Sequence, residues 1–198
     1  MAVPARTVER RPAGDGRPPV EVVRSTRRRR SASAYARDGV VVVQLPAHLS
    51  RREQERLIGE LVDQVTGQAR IAAAGGDAAL MVRARRLADT YLDAVRPTSV
   101  RWSGRMRRRF GSCTPEDGSI RISRELAAFP DYVLDYVIVH ELAHLVHADH
   151  SPAFESLVAR YPDTARARAF LDGFTAGTAR GAMAADDDAV GSGPGADD

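Results

Sequence analysis

Four of the chain's five histidines fall within one short stretch, His140-Glu141-Leu142-Ala143-His144-Leu145-Val146-His147-Ala148-Asp149-His150. A spacing of four on an α-helix turns two side chains only about 40° apart and separates them by roughly 6 Å of rise, so His140 and His144 lean toward one point beside the helix. A divalent cation suits that point. Zinc bound for catalysis takes three protein ligands and keeps a fourth position open. The third is expected from His150. Ser151-Pro152 reads as the N-cap and first position of a new helix, so the first helix should fail near Ala148-Asp149 and let His150 fold back. The expected ligand set for Zn2+ is His140, His144 and His150.

His147 also lies on the metal-facing side of a continuous helix, but spacing excludes it as a ligand. Seven residues correspond to about 10.5 Å of rise, too far for His140 and His147 to reach one zinc at roughly 2 Å each. Its open roles are a contact to substrate or to the ligands, or a partly exposed position at the helix end. Glu141 follows the first ligand directly and points about 100° around the helix, toward the edge of the site. A carboxylate there suits a general base, taking the proton of a metal-acidified water as that water attacks a carbonyl and passing it to the leaving group.

The surrounding residues describe a buried support. Tyr132, Val133, Tyr136, Val137, Val139, Leu142, Ala143, Leu145 and Val146 form a broad apolar surface, and Asp131 after Pro130 reads as an N-cap, giving a helix over about 131–147. Upstream, Val100-Arg101-Trp102, the run Arg107 to Cys113, and Gly118 to Ser123 read as two or three short strands. Pro115-Glu116-Asp117-Gly118 supplies the turn between the last two.

These elements together resemble the YgjP-like metallopeptidase family, and more distantly the SprT-like proteases. The residues that carry the resemblance are Arg109-Phe110-Gly111-Ser112-Cys113, Ile120-Arg121-Ile122, Leu126 to Pro130, His140-Glu141-Leu142-Ala143-His144 and His150-Ser151, followed by Phe154 and Tyr161-Pro162. The likeness covers about residues 20–174. Phe110 stands where the family usually has Trp, and Glu155 where it often has a second aromatic residue. The resemblance implies a metal-dependent peptidase with an HExxH metal site, acting on a peptide or protein substrate.

Length and charge bound the rest. A chain of 198 residues suits one domain with tails, and no apolar run is long enough to span a membrane. The first residues lead into Arg, Pro and Gly without an apolar segment, and Cys113 is the only cysteine; both point to a cytoplasmic protein. Cys113 reads as a small packing residue. All 29 basic residues are arginine, which discounts arginine runs as functional signals. Residues 1–19 and 176–198 lack apolar periodicity, so a disordered basic tail and a disordered acidic tail are expected to flank a domain over 20–175. A basic arm that binds a polyanion such as nucleic acid is the alternative to a merely solvating one.

Within the domain, Val40 to Leu45 reads as a strand after an Arg37-Asp38-Gly39 turn. Ser50 and Glu53 form a capping box for a helix bearing Leu57, Ile58, Leu61, Val62 and Val65. A second helix should start near Asp77, and two closing helices should carry Phe154 to Val158 and Ala165 to Phe174. The fold class expected is α+β and zincin-like, with a small sheet packed on a helical layer that includes the HExxH helix.

The function expected is a zinc-dependent metallopeptidase with Glu141 as base. The competing reading is a metal-dependent phosphohydrolase acting on a nucleotide, with arginines from Arg105 to Arg109 holding phosphates. A binding module that merely kept its metal is disfavoured by the intact Glu141. For the oxyanion partner, His147, an arginine from Arg105 to Arg109, or a tyrosine stay open.

Overall fold

The computed structural model describes residues 6–14, 17–106 and 109–190, with side chains through 178. The chain divides into two compact units, Met1–Gly76 and Asp77–Asp198, where the sequence reading placed a single domain over 20–175. No helix among the described residues is long and apolar enough to cross a membrane.

The first unit is a four-stranded sheet with one long helix. Its strands are β1 (Arg6–Arg11), β2 (Val20–Ser25), β3 (Ser33–Arg37) and β4 (Val40–Pro46), in the order β1-β2-β4-β3. β3 and β4 form a hairpin closed by Asp38 and Gly39, whose φ values of 51° and 79° give the paired left-handed residues that tight hairpin turns need. Helix α1 (Arg51–Ala73) opens on the expected capping box: Ser50 Oγ accepts from the Glu53 amide, and Glu53 reaches back to the Ser50 amide. Ile58 and Val62 of α1 are buried in a cluster with Val22, Val43 and Leu45.

The expectation of a disordered tail over 1–19 fails for residues 6–11. They form β1, antiparallel to β2 along its whole length. β1 buries little, so its attachment is polar. It rests on backbone pairing, a two-pronged Arg11–Glu55 ion pair at 2.7 Å and a Glu9–Arg24 pair at 2.6 Å. Residues 1–5 and 15–16 of that tail lie outside the described residues.

The second unit carries the predicted histidine stretch. It begins with α2 (Gly76–Tyr91), followed by β5 (Ser99–Ser103), β6 (Gly111–Thr114) and β7 (Ser119–Ser123), then a 3₁₀ turn (Arg124–Ala128), α3 (Asp131–Ala143), α4 (Pro152–Val158) and α5 (Thr164–Val190). The sheet order is β5-β7-β6, with β5 parallel to β7 and β6 antiparallel to it, so the small mixed sheet packs with helices in an α+β arrangement. α3 is apolar on nearly every side, and such a helix has to be a core element. Val133, Ile138, Val139, Leu142 and Ala143 are fully enclosed. It packs against β6, β7, α4 and α5.

Three boundaries differ from the sequence reading. Asp131 does not cap α3; Pro130 holds that position without a side-chain cap, because Asp131 pairs instead with Arg83 at 2.9 Å. α3 ends at Ala143 and not near 147: the amides of Leu145 and Val146 tighten onto the carbonyls of Leu142 and Ala143, making a 3₁₀-like exit. Finally, α5 runs to Val190, through the first part of the tail read as disordered over 176–198. The alanines there favour a helix although they offer no apolar periodicity. Residues 191–198 lie outside the described residues.

Gly118 ends the turn between β6 and β7 at a φ of +69°, and a Cβ there would meet Thr98 Oγ1 at 2.6 Å. Gly118→Ala is therefore expected to destabilise the second unit by about 1–2 kcal/mol. Chemical denaturation of the full chain checks this; an unchanged unfolding midpoint would show that the turn tolerates a side chain.

Candidate metal centre

His140 sits in the last turn of α3, His144 is its C-cap, and His150 directly precedes Ser151, the N-cap of α4. Ser151 Oγ accepts from the Phe154 amide and Pro152 occupies the first helical turn, as the sequence predicts. The 3₁₀-like exit from α3 and this new cap reverse the chain between them. Ring nitrogens of His140, His144 and His150 all lie within 4.8 Å of one another. His140 Nε2 and His150 Nε2 are 3.3 Å apart.

These nitrogens suit a metal. A tetrahedral zinc about 2.0–2.1 Å from each nitrogen sets its ligands about 3.3–3.4 Å apart, which is the His140–His150 separation. Burial, with the nearby His144 and His150 rings, pushes the His140 imidazole down to about 4, and burial also lowers His144, so both are neutral with a lone pair available near pH 7. His144 Nδ1 donates to the His147 carbonyl at 3.1 Å, which fixes the tautomer and leaves Nε2 for an ion. His147 itself is not in the group, and its contribution is that carbonyl.

One side chain packs against all three rings. Phe154, fully buried on α4, has its ring 5.0 Å from His140, 4.5 Å from His144 in a stacked contact and 4.8 Å from His150. A fixed apolar floor of this kind holds the imidazoles in place.

Glu141 lies on the flank of the group, only 6 % exposed and without a hydrogen-bond partner among the described residues. Burial pushes its carboxyl up to about 7, with the Arg109 cation pulling the other way. Its seat is made by Gly111 of β6. A Cβ at that position would stand 2.6 Å from Glu141 Cγ and 2.7 Å from Cδ, and would also strike Oε1, so only glycine lets the strand lie against the carboxylate.

The histidines and Glu141 open on a cleft of about 550 Å³, bordered by Arg109 to Cys113, Tyr136 and Leu171. Burial pushes the Cys113 thiol there up to about 11. β6 is an edge strand. The Ser123 amide bonds the Phe110 carbonyl at 2.8 Å, and the alternation of an antiparallel ladder then turns the backbone groups of Gly111 and Cys113 away from β7.

The metallopeptidase profile of the YgjP-like family matches residues 77–173, starting at the first residue of the second unit. Residues 77–173 are a YgjP-like metallopeptidase domain. No curated protein and no solved structure matches the chain. Within this YgjP-like domain, Phe110 keeps an aromatic ring where the family usually has Trp, packed 6.0 Å from Phe129 and 6.2 Å from Phe174. Glu155, where the family often has a second aromatic, makes a 2.6 Å ion pair with Arg168 of α5.

Sequence reasoning did not single out Phe154, Tyr136 or Arg168 as site residues. Tyr136 precedes His140 by one helical turn, a signal that was present but submerged in an apolar stripe. Nothing local marks Arg168. Gly111→Ala should cost about 1–3 kcal/mol by overpacking the strand against Glu141. The change is measurable by denaturation, and a loss below about 0.5 kcal/mol would mean that the carboxylate is free to move aside.

Proposed function

We propose that the YgjP-like domain is a zinc-dependent peptidase in which His140, His144 and His150 hold the ion and Glu141 is the general base. The observation that carries this reading is the convergence of three imidazoles beside a buried carboxylate that has no hydrogen-bond partner among the described residues, at the open edge of a strand. When bound, a zinc ion supplies Lewis acidity that polarises a carbonyl and lowers the pKa of water. An extended peptide pairs with the free backbone groups of Gly111 and Cys113, which brings its scissile carbonyl past the histidines. Glu141, raised toward neutrality by burial, accepts the proton of the attacking water and delivers it to the departing amine. The zincin-like arrangement expected from the sequence belongs to the same proposal.

Elemental analysis after dialysis is expected to find one zinc per chain, since the described residues offer a single His/Cys/Asp/Glu group of this kind. Alanine at His140, His144 or His150 should release it, and alanine at His147 should not. Metal loss from His147→Ala would overturn the ligand assignment.

The reaction itself is tested by assaying the zinc-loaded protein against a mixed peptide library and a nucleotide panel, with a chelator control. Chelator-sensitive peptide cleavage supports the proposal, and nucleotide turnover alone would replace it with a phosphohydrolase. Glu141→Gln keeps the shape of the side chain and should retain zinc while turnover falls about 10²- to 10⁴-fold. Undiminished turnover in that variant would remove Glu141 as the base.

A further inference from the structure

Tyr136 and Glu141 flank His140 on opposite sides of α3. Four residues back is about −40° around the helix and one residue forward is about +100°, so the phenol and the carboxylate border the histidine group from two directions. Both line the same cleft. The Tyr136 ring lies 6.0 Å from the His140 ring, and the residue is 7 % exposed.

The phenol oxygen is held from behind. Arg168 Nε donates to it at 3.0 Å, and the same guanidinium is anchored through Nη2 to Glu155 Oε2 at 2.6 Å. A phenol oxygen that accepts a hydrogen bond still carries its own proton, which stays free to be donated. Among the described residues no acceptor takes it. A buried donor at a cleft, held by a cation and left without an acceptor, calls for one from the ligand.

We infer that Tyr136, positioned by Arg168, donates to the oxyanion formed when a peptide carbonyl is attacked at this site; the inference rests on the peptidase reading above. As the water oxygen bonds to the carbonyl carbon, the C=O π pair moves onto the carbonyl oxygen. Tyr136 gives that oxygen a hydrogen bond and keeps its proton. When the pair returns, the C–N bond breaks and the proton taken by Glu141 goes to the amine nitrogen. Of the other donors left open by the sequence, Arg107 and Arg108 lie outside the described residues. The Arg109 cation acts on Glu141, on the base's flank, and His147 is not among the residues that line the cleft. Arg168 touches no reacting atom and is a positioning residue.

The test uses the zinc-loaded full chain and a phosphinic peptide, whose tetrahedral anionic group mimics the oxyanion. Tyr136→Phe preserves the ring and is expected to keep its zinc and its KM, within about threefold, while kcat falls about 10²- to 10³-fold. Calorimetry should show phosphinic-peptide affinity falling by a similar factor. Arg168→Ala should move both quantities in the same direction by less, and the double variant should be no worse than Tyr136→Phe alone, because Arg168 acts through the phenol. Unchanged phosphinic affinity in Tyr136→Phe overturns the inference, as does loss of zinc or additive effects in the double variant. A parent protein that binds zinc but neither cleaves peptides nor binds the phosphinic peptide overturns the peptidase reading, and this inference with it.

Discussion

The burial of α3 is the constraint on which the rest of the second unit depends. Its last turn carries two ionisable groups, His140 and Glu141, into surroundings formed by Val137, Leu142 and Phe154. Taking charge into such a place is costly, and proteins usually respond by neutralising the group or by pairing it. Here burial lowers the imidazole and raises the carboxyl, so that each is driven toward its neutral form. The same desolvation that opposes charge therefore prepares both groups, one to give a lone pair and the other to exchange a proton near pH 7.

Burial alone would not make room for Glu141. The strand β6 approaches α3 so closely that no side chain fits at Gly111. The free edge of β6 and the seat of the carboxylate are consequences of one contact. In the proposed reading, a substrate strand added to that edge lies beside Glu141, so positioning and chemistry are joined in a few residues.

The site was more legible in the sequence than the fold around it, and the reason is range. HExxH spacing, the Ser151-Pro152 cap, the Ser50–Glu53 capping box and the Asp38-Gly39 turn are local devices whose geometry is set within one or two turns of chain. Two of the misreadings involve distant partners. Asp131 reads as a cap until Arg83, far upstream, takes its carboxylate. β1 reads as a tail because its composition offers little to bury, yet backbone pairing with β2 and the Arg11–Glu55 contact need no apolar surface. The division into two units was equally invisible, since each unit has its own apolar cluster and composition does not distinguish them.

The short helix α4 shows how little chain is needed to complete the centre. Ser151 starts it, so His150 lies just outside its first turn and Phe154 just inside, and the hydrogen bond from the Phe154 amide to Ser151 Oγ fixes the two against each other. Phe154 is also part of the core. The position of His150, though it is exposed, is therefore tied to core packing through a three-residue path. His144 is tied in the same manner, stacked on Phe154 from one side and bonded to the His147 carbonyl from the other. In the proposed metal centre, ligands restrained before an ion arrives would lose less freedom when it binds, and a site built from one buried helix, one reversal and one aromatic floor supplies that restraint without a residue on a distant strand.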